Sequence, residues 1–258
     1  MAFLFGSQAS GRERKASDWD IAVYFTPVSP GELETEHEYL SENEISSGVE
    51  RIVRAEVDFL VLNRARPSLV FSILNSGTSL VIKDRTLYTK LLLKTYYEAL
   101  DFWDFVSDFW RIRQRARSLS PEDKAVFVEH VVFLENEFED IETFKVLTWK
   151  EYLEERDKRR NIERWIENLV MAALDIAKII LASERKDVPE TYQSTLKTFW
   201  TLYIDSRHAT QFSKFADLRN IVVHEYLDIR WKRIQKFIHE AQELYPEFIK
   251  TVRKIANL

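Results

Sequence analysis

Residues 6–20 read GSQASGRERKASDWD, and this stretch decides the fold of the first part of the chain. Short apolar runs at residues 3–5 and 21–25 lie on either side of it, and both are typical of β-strands. Gly6 and Ser7 begin the connecting loop. Because glycine has no side chain, the backbone there can approach a phosphate closely and donate N–H groups to it. The pattern therefore predicts a phosphate-binding loop between two strands.

Three acidic residues accompany this loop. Asp18 and Asp20 are two residues apart at the start of the second strand, so both carboxylates face the same side of the sheet. Asp58 lies inside a third predicted strand, residues 56–62, and can point to that face from a neighbouring position. Carboxylates grouped in this way favour Mg²⁺, which prefers oxygen ligands and shares them with substrate phosphates. We therefore predict a two-metal site for phosphoryl transfer.

The loop also carries basic side chains of the kind that bind phosphate oxygens, Arg12, Arg14 and Lys15. The complete string resembles the minimal nucleotidyltransferase (MNT) group of the DNA polymerase β superfamily. The residues that fit its signature are Gly6, Ser7, Ala9, Gly11, Ser17, Asp18 and Asp20.

This resemblance covers about residues 1–85. It implies that Asp18, Asp20 and Asp58 are catalytic metal ligands, that Gly6 and Ser7 hold a triphosphate, and that ATP is the substrate. Members of the group usually carry a helix before the first strand, so the resemblance also predicts an N-terminally trimmed domain.

The glycines divide the chain into two unlike parts. All five lie between Gly6 and Gly77, and none lies in residues 78–258. With a helix predicted from Pro67 to about Asn75 and a last strand at 79–82, the first part is a small α/β (α+β) domain. Gly77 is expected to end that helix, and the other two glycines, Gly31 and Gly48, are expected in turns beside an acidic segment predicted as a solvated helix or loop.

The glycine-free part has helical periodicity throughout. We predict a long aromatic-rich helix over 86–117, on which Tyr96, Leu100, Trp103 and Val106 share a face. Further helix starts are predicted at Ser120-Pro121, at a Thr148 capping box and at Pro189, with a last pair over 214–226 and from Ile229 to the end. The predicted domains are therefore 1–85, a connecting helix over 86–119 and an all-α bundle over 120–258.

A second group of functional residues lies near the end of the chain, where residues 219–226 read RNIVVHEY. On an α-helix Asn220 and His224 would share a face, with Arg219 next to it. A histidine can exchange protons near neutral pH, and an arginine can stabilise a pentavalent phosphate. These groups suit a ribonuclease in which the RNA 2′-hydroxyl attacks its own phosphodiester.

The spacing of Arg219, His224 and Tyr226 resembles the HEPN domains, specifically the HepT-like toxins, and residues 152–181 are similar to the same group. This resemblance covers about 120–258. It implies a helical bundle that forms a homodimer, with Arg219 and His224 of two protomers making one RNA-cleaving cleft. Because the nucleotidyltransferase of MNT–HepT toxin–antitoxin pairs transfers AMP to the toxin, it also implies Tyr226 as the modified residue.

Composition excludes several other classes of protein. The 45% hydrophobic and 31% charged residues do not fit a disordered chain, and a net charge of −5 gives no overall basic field for nucleic acid. The chain has no cysteine, which rules out disulfides and thiolate chemistry and fits the cytoplasm. No apolar stretch approaches the length of a membrane span, so no membrane is expected.

Three functions stay open at this stage. The first is a fused toxin–antitoxin protein, in which the first domain transfers AMP from ATP with Mg²⁺ and the second is a latent metal-independent ribonuclease. The second is a small-molecule nucleotidyltransferase of the antibiotic-modifying kind, with a helical substrate-binding domain. The third is a degenerate binding protein without catalysis. The motif of Arg219, His224 and Tyr226 favours the first, because a substrate-binding helical domain does not need it.

Overall fold

The computed structural model describes residues 1–9, 19–27, 31–35, 37–115, 118–220 and 227–257. These form two compact units, Met1–Asp104 and Phe105–Leu258. The first holds a small mixed sheet with helices, and the second is helical, which confirms the predicted fold class. The predicted domain limits at residues 85 and 119 stay a prediction.

A four-stranded sheet organises the first unit. Its strands are β1 (Ala2–Phe5), β2 (Trp19–Val23), β3 (Val57–Val61) and β4 (Thr78–Val81), in the spatial order β3-β2-β1-β4. β1 is antiparallel to both of its neighbours, β2 and β4, whereas β2 and β3 are parallel. The four predicted strands are therefore confirmed, each within two residues at either end.

Three helices accompany this sheet: α1 (Gly6–Ala9), α2 (Glu42–Val53) and α3 (Pro67–Ser76). The core of the unit packs buried side chains of the sheet, such as Phe3 and Ala22, against Val70 and Ile73 of α3. Gly77 follows α3 as predicted, and its N–H donates to the carbonyl of Ile73 at 2.9 Å.

The acidic segment, predicted between Pro30 and Gly48, includes the first part of α2, none of whose side chains is buried, in agreement with a solvated helix. The prediction of a turn at Gly48 is wrong, because Gly48 lies inside α2. An added side chain there would meet no atom within 4 Å. The helix therefore accommodates the glycine without needing its conformational freedom.

Helix α4 (Arg85–Arg115) confirms the predicted long helix and contributes to both compact units. The side chains that were expected to share a face include Tyr96, Leu100 and Trp103. Their exposed fractions are 40%, 43% and 66%. Periodicity thus predicted the helix, while the burial of this face does not follow from it.

The second unit is built from helices that follow one another closely. They are α5 (Pro121–Glu139), α6 (Ile141–Phe144), α7 (Trp149–Glu154), α8 (Arg156–Ser183), α9 (Tyr192–Tyr203), α10 (Ala209–Ser213) and α11 (Leu227–Ala256), with a 3-10 helix over Lys214–Asn220. Helix α8 lies at the centre, since α5, α7, α9 and the 3-10 helix all pack against it. In the described part of the chain, no helix is long and apolar enough to cross a membrane.

The helix starts test the local predictions directly. Ser120 caps α5 by accepting a hydrogen bond from the N–H of Asp123 at 3.0 Å, as predicted. Thr148 forms the predicted capping box with Glu151 at the start of α7. The start predicted at Pro189 is wrong. Helix α9 begins after Thr191, whose hydroxyl accepts from the N–H of Ser194 and so forms a better cap than the proline offers.

Candidate functional site

The parallel pairing of β2 and β3 places two of the predicted metal ligands side by side. Asp20 and Asp58 are direct partners in the register of the two strands. Partners on adjacent strands point to the same face and lie about 4.8 Å apart along the hydrogen-bonding direction. Asp58 is exposed and Asp20 partly exposed, so both carboxylates can reach a ligand from solvent. The structure thus brings together two of the three predicted carboxylates.

Gly6 lies against one of these carboxylates. Its φ of +72° belongs to the left-handed region, which glycine adopts without strain. A Cβ atom added at Gly6 would lie 2.0 Å from Oδ2 of Asp20. The Asp20 carboxylate therefore occupies the space that a side chain at position 6 would fill. The sequence predicted a close backbone approach to phosphate at Gly6, and the structure also shows a close approach to a metal-ligand candidate.

The donor set in this corner fits Mg²⁺, because it consists of carboxylate oxygens from neighbouring strands beside an open backbone turn. Ser7 follows Gly6 at the start of α1 and is partly exposed, as expected of a group that could bind phosphate. Asp18 and the basic residues of the loop lie outside the described residues, so their predicted roles stay predictions.

Arg219 is the described member of the second predicted site. The α-helix predicted over 214–226 is wrong for its first half, because residues 214–220 form a 3-10 helix. Phe215 and Leu218 are both buried and three residues apart. A 3-10 helix has three residues per turn, so it places these two side chains directly above one another, whereas an α-helix would set them about 60° apart on the same face. His224 and Tyr226 lie outside the described residues.

The Arg219 side chain is held by two neighbouring elements. Its Nε lies 2.9 Å from the sulfur of Met171 on α8, and its guanidinium carbon lies 4.4 Å from the centre of the Tyr192 ring on α9. The second contact has cation–π geometry. These two contacts orient the guanidinium, which is the group that would bind a phosphate.

A buried polar network close to this region was not predicted from the sequence. The hydroxyl of Tyr152 donates to Oε1 of Glu163 at 2.7 Å, and Nη1 of Arg230 donates to the same oxygen at 2.8 Å. Tyr152 and Glu163 are buried, and 11% of the Arg230 side chain is exposed. Arg230 lies on α11, shortly after residues 221–226, so the network anchors the chain on one side of the predicted ribonuclease motif.

Burial and hydrogen bonding fix the protonation states of this network. Burial is the largest single influence on Arg230 and opposes its charged form, but the hydrogen bond to Glu163 and the attraction of the Glu163 and Tyr152 side chains together outweigh it, so the pKa of Arg230 is raised. Burial also raises the pKa of Tyr152, and donation to Glu163 raises it further. Tyr152 therefore stays neutral and Arg230 stays charged. The sequence did not predict the pairing of Glu163 with Arg230, because the two residues are far apart in the chain and only the fold brings α8 and α11 together there.

Comparison with protein families assigns both units. Residues 1–86 match the family model described as "Polymerase beta, Nucleotidyltransferase". Residues 134–255 match the model described as "Ribonuclease HepT-like". A search of curated proteins found no match. The two matched segments agree closely with the regions of resemblance identified from the motifs.

The match over residues 1–86 thus identifies the first unit as containing a nucleotidyltransferase domain of the polymerase β type. The chain joins this domain to a HepT-like ribonuclease domain of the HEPN kind. At the level of families, this combination is a toxin–antitoxin-like fusion.

Proposed function

We propose that the nucleotidyltransferase domain transfers AMP from ATP to Tyr226 and thereby silences a ribonuclease formed by the HepT-like domain. The observation that carries the proposal is the pairing of Asp20 with Asp58 beside Gly6. Joined to a HepT-like domain, such a site has an acceptor protein within its own chain. Both partners of the MNT–HepT kind of system would then be parts of one polypeptide.

In the transfer step, the Tyr226 hydroxyl attacks the α-phosphorus of ATP. A new O–P bond forms, the bond between the α-phosphorus and the bridging oxygen to the β-phosphate breaks, and pyrophosphate leaves with the electron pair. The hydroxyl loses its proton to the surrounding base or solvent. Asp18, Asp20 and Asp58 would hold Mg²⁺, which neutralises phosphate charge and favours departure of pyrophosphate when bound. Gly6 and Ser7 would position the triphosphate through their backbone.

In the ribonuclease step, the RNA 2′-hydroxyl attacks the adjacent phosphorus and displaces the 5′-oxygen of the next nucleotide. His224 would transfer protons to or from these oxygens, and Arg219 would stabilise the charge of the pentavalent phosphate. The contacts of Arg219 with Met171 and Tyr192 support this role because they hold the guanidinium in a defined orientation. A homodimer through the helical domain would place two copies of these residues around one RNA strand.

An AMP group on Tyr226 would add a bulky anion two residues from His224. RNA is itself an anion, so like-charge repulsion and steric exclusion would both weaken its binding. Modification therefore acts on substrate binding in this proposal and does not require a change of fold. The predicted outcome is a ribonuclease that is active only without the adduct.

The transfer is tested by incubating the full chain with Mg²⁺ and ATP labelled in its α-phosphate. Label should appear on the wild-type protein and be absent from Tyr226→Phe. Tyr97→Phe is the matched control, since Tyr97 is an exposed tyrosine of α4, far from Tyr226 in the sequence, and it should be labelled like the wild type. If label appears only on an added aminoglycoside, the protein is a small-molecule nucleotidyltransferase and the proposal is wrong.

The ribonuclease is tested separately by expression in growing cells. Asp18→Ala should prevent modification and arrest growth, with cleavage visible in total RNA. Adding His224→Ala to Asp18→Ala should restore growth. Normal growth of cells that express folded Asp18→Ala protein would contradict the toxin part of the proposal, whatever the outcome of the labelling experiment.

A further inference from the structure

Three potential metal ligands come together in the second unit, away from the residues assigned above. Asp205 lies in the loop after α9, His208 directly precedes α10, and Glu247 lies on α11. One ligand atom from each, a carboxylate oxygen or an imidazole nitrogen, lies within 4.8 Å of the other two. Asp205 and His208 are partly exposed and Glu247 is exposed, so an ion could enter from solvent.

Asp205 is oriented by its surroundings. Its Oδ1 accepts hydrogen bonds from the backbone N–H groups of Arg207 at 2.8 Å and His208 at 3.1 Å. The indole N–H of Trp200 donates to the same oxygen at 3.3 Å. These three donors fix the orientation of the Asp205 carboxylate. Its second oxygen, Oδ2, faces His208 at 3.8 Å from Nδ1.

His208 offers the independent observation. Its Nδ1 atom is buried and has no hydrogen-bond partner within the described ranges. A buried polar atom left in this state costs about 1–3 kcal/mol, so native proteins seldom keep one without a reason. A metal ion would use the nitrogen lone pair directly. The same atom faces the Asp205 carboxylate, which would supply the negative charge that such an ion needs.

Aromatic packing holds the three elements in place. The ring centres of Trp200 and Phe212 lie 4.4 Å apart, and those of Phe212 and Phe248 lie 5.1 Å apart. All three rings are fully buried. Trp200 orients Asp205, Phe212 lies one turn after His208, and Phe248 is adjacent to Glu247 in the chain. The backbone positions of the ligands are therefore fixed by the core.

We propose that Asp205, His208 and Glu247 form a site for a divalent transition-metal ion of the zinc type. Imidazole nitrogen and carboxylate oxygen are accepted zinc ligands, and a fourth position would be left for water. Tetrahedral zinc at about 2.1 Å from each ligand requires ligand atoms roughly 3.4 Å apart. The exposed Glu247 side chain would rotate toward the ion, and the 3.8 Å between Oδ2 of Asp205 and Nδ1 of His208 would shorten slightly. The bound ion would join the loop after α9 to α11 and stabilise the helical unit.

The proposal is tested by calorimetric titration with zinc. The tag-free full-length protein is first treated with a chelator, which is then removed. Excess Mg²⁺ in the buffer would occupy the carboxylates of the first unit. We expect one zinc ion per chain. Loss of a partner that only orients a ligand weakens metal binding by about 10–100-fold, so loss of a ligand in His208→Ala should weaken it by at least about 100-fold.

Two control variants separate this site from adventitious binding. His239→Ala removes an exposed histidine of α11, and Glu243→Gln removes an exposed carboxylate one turn before Glu247. Both should bind zinc like the wild type, whereas Glu247→Gln should bind it more weakly. Asp58→Asn should also bind normally, which excludes the site in the first unit.

Thermal unfolding supplies a readout that does not depend on either proposed enzymatic activity. Zinc at about 100 times its Kd should raise the Tm of the wild type by about 5 °C or more and leave that of His208→Ala unchanged. Circular dichroism of metal-free His208→Ala should match the wild type and so exclude misfolding. Absence of zinc binding to the wild type, or equal binding by His208→Ala and the wild type, would overturn the proposal.

Discussion

The functional side chains around Gly6 and those around Arg219 are held in place in different ways. In the first unit, backbone geometry positions them: the strand register pairs Asp20 with Asp58, and Gly6 leaves room for the Asp20 carboxylate. In the second unit, side-chain packing positions Arg219, which contacts Met171 and Tyr192. The first site should therefore be sensitive to changes of main-chain conformation, and the second to changes of buried side chains.

The two sites also differ in exposure of charge. The carboxylates of the first site face solvent, where a metal ion and phosphates can reach them. The ion pair of Glu163 and Arg230 beside the second is buried, so its strength depends on complete pairing. Substitutions at the first site should thus reduce catalysis without unfolding the protein, whereas those beside the second should reduce stability first.

The largest expected effect comes from breaking the buried pair. Arg230→Met leaves the Glu163 carboxylate buried, with the Tyr152 hydroxyl still donating to it, and should lower the free energy of unfolding by about 3–5 kcal/mol. Arg253→Met is the control on the same helix, because its pair with Glu135 is half exposed and should contribute at most about 1 kcal/mol. Urea unfolding followed by circular dichroism measures both. Equal losses would show that burial does not distinguish the two pairs.

Next is the loss of a proposed metal ligand in the first unit. Asp58→Asn should reduce AMP transfer at least about 100-fold, equivalent to about 2.7 kcal/mol, because the neutral amide no longer balances the charge of Mg²⁺. The protein should stay folded, since Asp58 is exposed. Glu56→Gln is the control, as Glu56 is an exposed acid two residues earlier. Rates of label transfer from ATP decide the outcome, and near-normal transfer by Asp58→Asn would remove Asp58 from the site.

A smaller effect is expected from Gly6→Ala. The new methyl group would displace the Asp20 carboxylate and should reduce AMP transfer about tenfold or more, or about 1.4 kcal/mol. The positive φ adds a loss of stability of about 1–2 kcal/mol. Gly48→Ala is the contrasting variant, because it lies in a helix with open space around it and should gain about 0.5–1 kcal/mol of stability. Normal transfer by Gly6→Ala would contradict the importance of the close approach.

The smallest effect tests the packing of the second unit. Tyr245 is fully buried among aromatic rings, and its hydroxyl finds no hydrogen-bond partner within the described part of the chain. Tyr245→Phe should therefore raise the free energy of unfolding by about 1 kcal/mol. Tyr203→Phe should lower it by about 0.5–1.5 kcal/mol, because that hydroxyl donates to Glu184 at 2.6 Å. Urea midpoints of both variants provide the measurement, and a loss of stability in Tyr245→Phe would contradict the argument.

Much of the first site could be predicted because its signals are local. Gly6, Ser7 and Asp20 belong to one short stretch, and the alternation of side chains along a strand gives their direction. The parallel pairing of Asp20 with Asp58 was harder to predict, since it depends on how the chain crosses over between β2 and β3. The contact of Asp20 with Gly6 could not be predicted, because it requires the actual φ of the turn.

The second unit shows where local signals fail. Helical periodicity predicted α4, but residues three apart, such as Phe215 and Leu218, share a face in both kinds of helix, so the pattern did not predict the 3-10 helix that carries Arg219. The sequence did not indicate His208 as a metal ligand, because Glu247 lies on α11 and only the tertiary fold brings the two side chains together. Contacts between distant segments depend on packing, which a pattern along the chain does not contain.

The central position of α8 has a consequence for the exchange of amide protons with solvent. This helix is about 42 Å long and most of its second half is buried by surrounding elements. The amides of its buried half should exchange only when the whole unit unfolds. Those of the short 3-10 helix over Lys214–Asn220 should exchange through local opening. Arg219 would thus lie on a 3-10 helix that unfolds locally while α8, against which it packs, stays folded.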